Sequence, residues 1–343
     1  MDRGRNFFLF GGLLILLLAC FTADLFLGSV HIPAGDLLRI LFAGHSEQPE
    51  WITIVHDFRI PRAITAVLGG LSLSLAGLQM QTLFRNPLAG PYVLGISSGA
   101  SLGVALLVMG AYILFPHGEM RFRTWGIITA AWLGSGMIML LLLLVSFRIK
   151  DIMTILILGI LFGSITIAIV SILQYFTHEA LLKTFIVWTL GSLGNVTRGQ
   201  LPVLAGSLSA GILLSAGSVK ILNAMLLGEN YARSMGINVL TGRILLFIST
   251  SILAGTVTAF CGPIGFIGIA VPHVARLIWK TADHRVLIPG VMISGAIVLL
   301  LSDMISQLPG SDRLLPINSV TALIGIPVVV WIVLRNQRFA NLS

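Results

Sequence analysis

Residues 59–103 read RIPRAITAVLGGLSLSLAGLQMQTLFRNPLAGPYVLGISSGASLG, and the choice between two readings of this stretch decides the fold. Its last part, Gly95-Ile96-Ser97-Ser98-Gly99, fits G-x-S-x-G, the pattern of a hydrolase nucleophile elbow. An elbow needs a strand before the serine, a helix after it, and a histidine and an acid nearby in space. Here the motif follows a proline-rich turn (Pro87, Pro91) and begins an apolar run long enough to span a bilayer. The stretch is also dense in small residues, at GGLSLSLAG (69–77) and GISSGASLG (95–103). Such residues let helices approach closely where lipid supplies no hydrophobic drive. The motif therefore reads as helix packing, with the serines chosen for volume rather than reactivity.

The rest of the chain agrees. Hydrophobic residues make up 56% of the 343 positions and charged residues 10%, against about 25% charged in soluble domains. The expected fold is an all-α polytopic membrane protein, one transmembrane domain over 1–343. Ten spans are expected, near 6–28, 61–83, 91–115, 125–147, 152–176, 199–219, 241–260, 263–280, 286–308 and 317–335. The 263–280 span is short and broken by Gly-Pro. The first run ends in LLAC at Cys20, as a lipoprotein signal would, but continues to Gly28 and is expected to stay as a helix. Long continuous runs exclude β-barrel strands, which alternate.

With a cytoplasmic N-terminus, ten spans return the C-terminus to the same side. The outside then holds eight basic residues, Arg39, Arg59, Arg62, Arg121, Arg123, Lys183, Arg198 and Arg313, leaving thirteen of the 21 Lys and Arg inside. That bias fits the positive-inside rule and explains the net charge of +8 without nucleic acid. Two loops carry patterns of their own. PAGDLLRILFAG, in the outer segment 29–60, reads as a short amphipathic helix. KILNAMLLGENYARSMGINVL (220–240) reads as two short helices bent at Gly228, suited to docking a cytoplasmic partner.

Several chemistries are missing. The chain has no phosphate-binding G-x-x-x-x-G-K-[ST] loop, no H-E-x-x-H and no Cys/His cluster, and its two cysteines lie far apart. Asp303 is the clearest acid inside a span. Scarce embedded acids weigh against an ion-coupled carrier working alone, and energy is then expected from a separate subunit.

The quoted stretch resembles the FecCD-type permease family of bacterial ABC importers for ferric siderophores, haem and cobalamin. LLGENYARSMGINV (226–239), CGPIGFIGIAVPHVARLI (261–278), DHRVLIPG (283–290), LLLSDMISQLP (299–309) and LPINSVTALIGIPVVVWIVLR (315–335) match its pattern in order. The resemblance implies the type II importer permease fold, ten helices per subunit and a pathway between two permease subunits. It also implies two cytoplasmic ATPases, which bind the ATP and Mg, and an external binding protein. No cofactor or metal is expected in this chain, and no covalent chemistry. One chain carrying all the motifs favours a homodimer in the bacterial inner membrane.

The resemblance also assigns residues. Gly228, Glu229, Tyr231, Ala232, Arg233 and Gly236 would form the ATPase-coupling element, with Glu229 and Arg233 spaced to pair on one helix face. Arg59 and Arg62 match basic residues that receive acidic side chains of the binding protein in a cobalamin member. A third basic site falls on Gln307, where Arg313 is the expected substitute. The inner gate falls on the turn KDIMT, at Asp151, Ile152 and Met153. That turn lacks the Ser/Thr-rich chemistry of the cobalamin member, which slightly disfavours cobalamin; a ferric siderophore or similar large metal chelate is expected, with cobalamin or haem as alternatives. Gly159, Gly163, Ser164 and Thr166 are the expected pathway lining.

Overall fold

The computed structural model of the chain describes residues 3–28, 30–46, 48–110, 124–149, 151–307 and 314–340. All regular structure among them is helical. Contacts group the chain into two compact units. Unit one comprises Met1–Leu75, Ser192–Ala205 and Gly265–Ser343; unit two comprises Ala76–Gly191 and Gly206–Ile264.

In unit one, α1 (Arg3–Phe26) and α13 (Ile267–Trp279) pack on α14 (His284–Ser306), and α15 (Ile317–Ala340) packs on α13 and α14. The segment after α1 carries α2 (Ala34–Ala43), the amphipathic helix expected from PAGDLLRILFAG. Leu37 and Ile40 of α2 join Leu25, Ile32, Val55 and Ala63 in a buried cluster, while Phe42 stays exposed. Helix α3 (Pro49–Thr53) leads through a π-helical segment, Ile54–Arg59, into α4 (Ile60–Leu83). The span expected to start near 61 is thus the later part of one 35-residue helical run, Pro49–Leu83. The π-type turns carry the polar residues His56, Asp57 and Arg59, which a hydropathy reading assigns to a loop.

In unit two, α5 (Ile96–Ala105) crosses α6 (Thr124–Arg148), and α12 (Val239–Cys261) packs on both. The crossing explains the small residues of the opening stretch. A methyl group added at Gly99 would lie 2.5 Å from the Gly134 carbonyl oxygen and 2.6 Å from Ile138 Cγ1. Gly99 and Gly103 face Gly134 and Ala130, so each helix offers small residues four apart to the other. Gly95 precedes α5 at φ +75, a left-handed turn that glycine takes without strain. Helix α7 (Ile152–Tyr175) packs on α5, and α8 (Glu179–Thr189) is an extra helix in the connector between expected spans. Helices α9 (Leu201–Gly217) and α10 (Val219–Met225) form a pair bent by 55°.

Unit two also holds a buried polar network. Gln79 Nε2 donates to Ser215 Oγ (2.6 Å) and Ser249 Oγ (3.2 Å), and Thr250 Oγ1 donates to Gln79 Oε1 (2.9 Å). It joins the end of α4 to α9 and α12, the helices that flank the 220–240 loop.

Among the described residues, six helices are long and apolar enough to cross a membrane, and the bent pair makes a seventh. Three shorter apolar helices, Ile96–Gly110, Ile267–Trp279 and Ile317–Trp331, stand at the other expected places. Apolar helices thus stand at all ten expected places, seven of them long enough to cross by themselves among the described residues. At 263–280 the cause of the shorter helix is visible: Gly262 (φ +74) and Phe266 (φ +65) hold the chain out of helix, and Lys280 (φ +50) ends α13 after 13 residues. Large apolar side chains such as Phe8, Leu133, Leu213 and Leu323 are more than two-thirds exposed. This is the surface of a multi-pass membrane protein, since a soluble one would bury it.

Candidate functional site

Two groups of residues deserve the name of site, one in each unit. In unit two the 220–240 loop is built from local rules. Gly228 sits between α10 and α11 (Glu229–Ser234) at φ +101, a conformation restricted to glycine. Helix α11 ends in a Schellman motif: Gly236 N donates to Arg233 O (2.9 Å) and Ile237 N to Ala232 O (3.1 Å). Gly236 supplies the required positive φ of +79. Asn238 then caps α12, its side chain accepting from Thr241 N (3.1 Å). Ala232 is buried; Leu227, Tyr231 and Met235, four apart, stay exposed as an apolar stripe.

The expected pair within α11 forms, but loosely. Glu229 and Arg233 approach only to 3.9 Å, with Arg233 half exposed, a geometry worth little. The closer contact comes from outside α11: Glu229 Oε1 accepts from Arg243 Nε (2.9 Å) and from Arg243 Nη2. Arg243 lies in the first turns of α12 and is buried, so its charge requires a partner. The sequence reading counted Arg243 only as an inside charge. The available signal was an arginine within the apolar run VLTGRILLF.

Two of the three expected gate residues, Asp151 and Ile152, share a cavity with this loop. Its volume is about 370 Å³, and its lining includes Leu83, Arg85, Asp151, Ile152, Gly228, Glu229 and Asn230. Asp151 caps α7, accepting from Thr154 Oγ1 (2.6 Å), Thr154 N (2.8 Å) and Met153 N (3.4 Å). Those bonds, the Thr154 hydroxyl first, hold its carboxyl below the usual carboxylate range, helped by the charge of Arg243. Ile152 is half-buried and Met153 exposed.

The expected pathway residues separate. Gly159, Gly163 and Thr166 are buried. A methyl group at Gly159 would meet Val93 O (3.1 Å), and one at Gly163 would meet Ser98 Oγ (3.4 Å). Their small size thus serves packing of α7 against the α5 region. Ser164 is exposed on another side of the helix, near Ile157, Ile160 and Leu161.

In unit one the arginines expected to dock a partner are engaged internally. Arg59 is buried and donates to Leu25 O (2.7 Å), Phe26 O (3.4 Å) and Val30 O, satisfying carbonyls at and beyond the end of α1. Arg62 forms a fork with Asp303: Nε to Oδ2 at 2.8 Å and Nη2 to Oδ1 at 2.8 Å. Gln307 Nε2 bridges Asp303 Oδ2 (3.0 Å) and Asp24 Oδ1 (3.2 Å). Neither charge is freely presented: Arg59 is buried and needs acceptors, and Arg62 is half-buried with its charge paired. Among the described residues two acids are buried, Asp24 and Asp303, and both are tied into this cluster. A cavity of about 330 Å³ opens beside it, lined in part by Arg59, Arg62, Ser192, Asn195, Gln307 and Phe58. Arg313 lies outside the described residues.

Comparison with known proteins follows this geometry. The sequence model of the FecCD transport family matches residues 15–335. The vitamin B12 import system permease protein BtuC of Citrobacter koseri is 33% identical over 337 residues, covering 98% of this chain and 97% of that one. The protein of the same name from Salmonella typhi is 34% identical over 324 residues, 94% of each chain. A solved ABC transporter described as of metal-chelate type, in an inward-facing conformation, superposes with a TM-score of 0.82 at 28% identity. The match covers 95% of this chain and 99% of that one.

Proposed function

The chain belongs to the FecCD transport family, as the permease subunit of an ABC importer, and from that premise we propose how it works. Its cargo is a ferric siderophore or a similar large metal chelate, delivered by an external binding protein. Two copies of the chain form the pathway in the bacterial inner membrane, with both termini cytoplasmic. ATP and Mg are bound by two cytoplasmic ATPase subunits, and this chain transmits their motion.

The observation that carries the proposal is the 220–240 loop. Glycines with positive φ stand at both ends of the α11 segment, and Leu227, Tyr231 and Met235 are exposed beside Arg233. This is a rigidly shaped, apolar knob with a charged edge, suited to a cleft in the ATPase. Gly228, Glu229, Tyr231, Ala232, Arg233 and Gly236 act there together. Asp151, Ile152 and Met153 form the gate, and Ser164 with the exposed face of α7 borders the pathway. The unit-one cavity receives an acidic side chain of the binding protein beside Arg59 and Arg62; Arg313 would add to that charge.

Cobalamin is the second reading, favoured by the identity to the two vitamin B12 permease proteins. Uptake by proteoliposomes holding permease, ATPase and binding protein tests both, with ferric hydroxamate and cyanocobalamin as probes. ATP-dependent uptake of the first probe is expected. Uptake of cyanocobalamin alone would select the second reading. Uptake that survives ATP removal and collapses with an ionophore would instead establish an ion-coupled carrier.

A further inference from the structure

The α11 segment is six residues long, with a positive-φ glycine on each side of it. Besides its backbone hydrogen bonds and the buried Ala232, it is held through Glu229. Arg243 places both Nε and Nη2 on one oxygen of that carboxylate, from a side chain only 3% exposed. Arg233, from α11 itself, stays 3.9 Å away and half exposed. Glu229 is in turn part of the wall of the 370 Å³ cavity that Asp151 and Ile152 also line. A displacement of α11 therefore changes the cavity against which the Asp151–Met153 turn rests.

Resting on the assignment of this loop to the ATPase contact, we infer that Arg243 is the positioning residue that links the ATPase-docking helix to the gate turn. It does so by holding Glu229 in the wall of their common cavity. Arg243 touches neither cargo nor nucleotide. It converts a push on α11 into a shift of charge and volume beside Asp151, the residue that caps the gate helix. The fall of the Asp151 carboxyl below its usual range, to which Arg243 contributes after the Thr154 bonds, agrees with that proximity. A lysine would supply the charge but not the two-pronged hold.

The test uses the full permease–ATPase complex in nanodiscs and needs no cargo. Native Cys20 and Cys261 are buried, so maleimide labelling reports on introduced cysteines. Tyr231→Cys reports ATPase docking by its shielding, and Met153→Cys reports the gate by its change of labelling rate with ATP. In Arg243→Gln, shielding at Tyr231→Cys is expected to persist. The ATP response at Met153→Cys should fall by about tenfold, the scale of one charge-assisted hydrogen-bonded pair. Arg243→Lys should recover part of it. An undiminished Met153→Cys response in Arg243→Gln overturns the inference. If that variant does not assemble, Glu229→Gln breaks the same pair from the other side, and a full response there overturns it equally. Absence of shielding at Tyr231→Cys in the otherwise native complex overturns the loop assignment instead.

Discussion

Gly99→Leu is the substitution that tests the reading of the opening stretch most directly. The α5–α6 crossing is so close that even the first carbon of a side chain at Gly99 would stand 2.5 Å from Gly134 O, 2.6 Å from Ile138 Cγ1 and 3.1 Å from Gly134 C. Ordinary contact between such atoms begins near ~3.5 Å, so the helices must separate by about 1 Å for alanine alone. Overpacking of this kind costs about 1–3 kcal/mol. Leucine adds three more carbons where Gly134 and Ile138 leave no room, which puts Gly99→Leu at or beyond the top of that range. Ser98→Ala removes one half-buried hydroxyl without adding volume, and should stay within about 0.5 kcal/mol. The assay is thermal unfolding of the purified protein in detergent, followed by size exclusion after heating, with ATP-driven uptake measured in parallel. Gly99→Leu should lose most of its stability margin and its transport, and Ser98→Ala should keep both. A Gly99→Leu protein as stable and active as the parent, beside an inactive Ser98→Ala, would refute the volume argument and revive the serine as a reactive group.

Three further outcomes follow from the same kind of reasoning. Arg62→Leu leaves Asp303 buried without its counter-ion and should cost about 3–5 kcal/mol in thermal or denaturant unfolding; adding Asp303→Leu should return much of that loss, and failure to do so would mean the pair is not the cause. Gly236→Ala forces a side chain into the left-handed C-terminal turn of α11, at about 1–2 kcal/mol, and should weaken ATPase co-purification while leaving membrane insertion intact. Gln79→Leu strips the acceptor and donor that join α4 to Ser215, Ser249 and Thr250; heating in detergent should show a loss of about 1–2 kcal/mol, and an unchanged midpoint would show that the network adds nothing.

Much of the candidate site was legible before the structure, and the illegible parts share a cause. Gly228 could be singled out because a glycine break is a local signal, while Gly236 came with the family resemblance; both carry positive φ. The bend between α10 and α11 was visible for the same reason. The partner of Glu229 was not. Spacing along one helix suggested Arg233, while Arg243, fourteen residues on, makes the bond because the chain turns back after the Schellman motif. The pathway assignment shows the same limit. Gly159, Gly163 and Thr166 were recognisable as a small-residue side of α7, but small residues serve a pathway and a tight crossing equally well. Contact with Val93, Leu94 and Ser98 decides for the crossing.

Hydropathy and glycine signals act over a few residues, so the sequence by itself determined a helical membrane protein, the places of its apolar segments and the bend of the 220–240 loop. Charges act through space, and only the tertiary structure could decide where they are spent. Arg62 meets Asp303 across 241 residues of chain, and Arg59 meets the end of α1 across 34. Read along the sequence, both looked like exposed charges awaiting a partner. In the fold Arg59 is buried and Arg62 half-buried, and a guanidinium taken out of water needs acceptors. Their first acceptors therefore come from the chain itself.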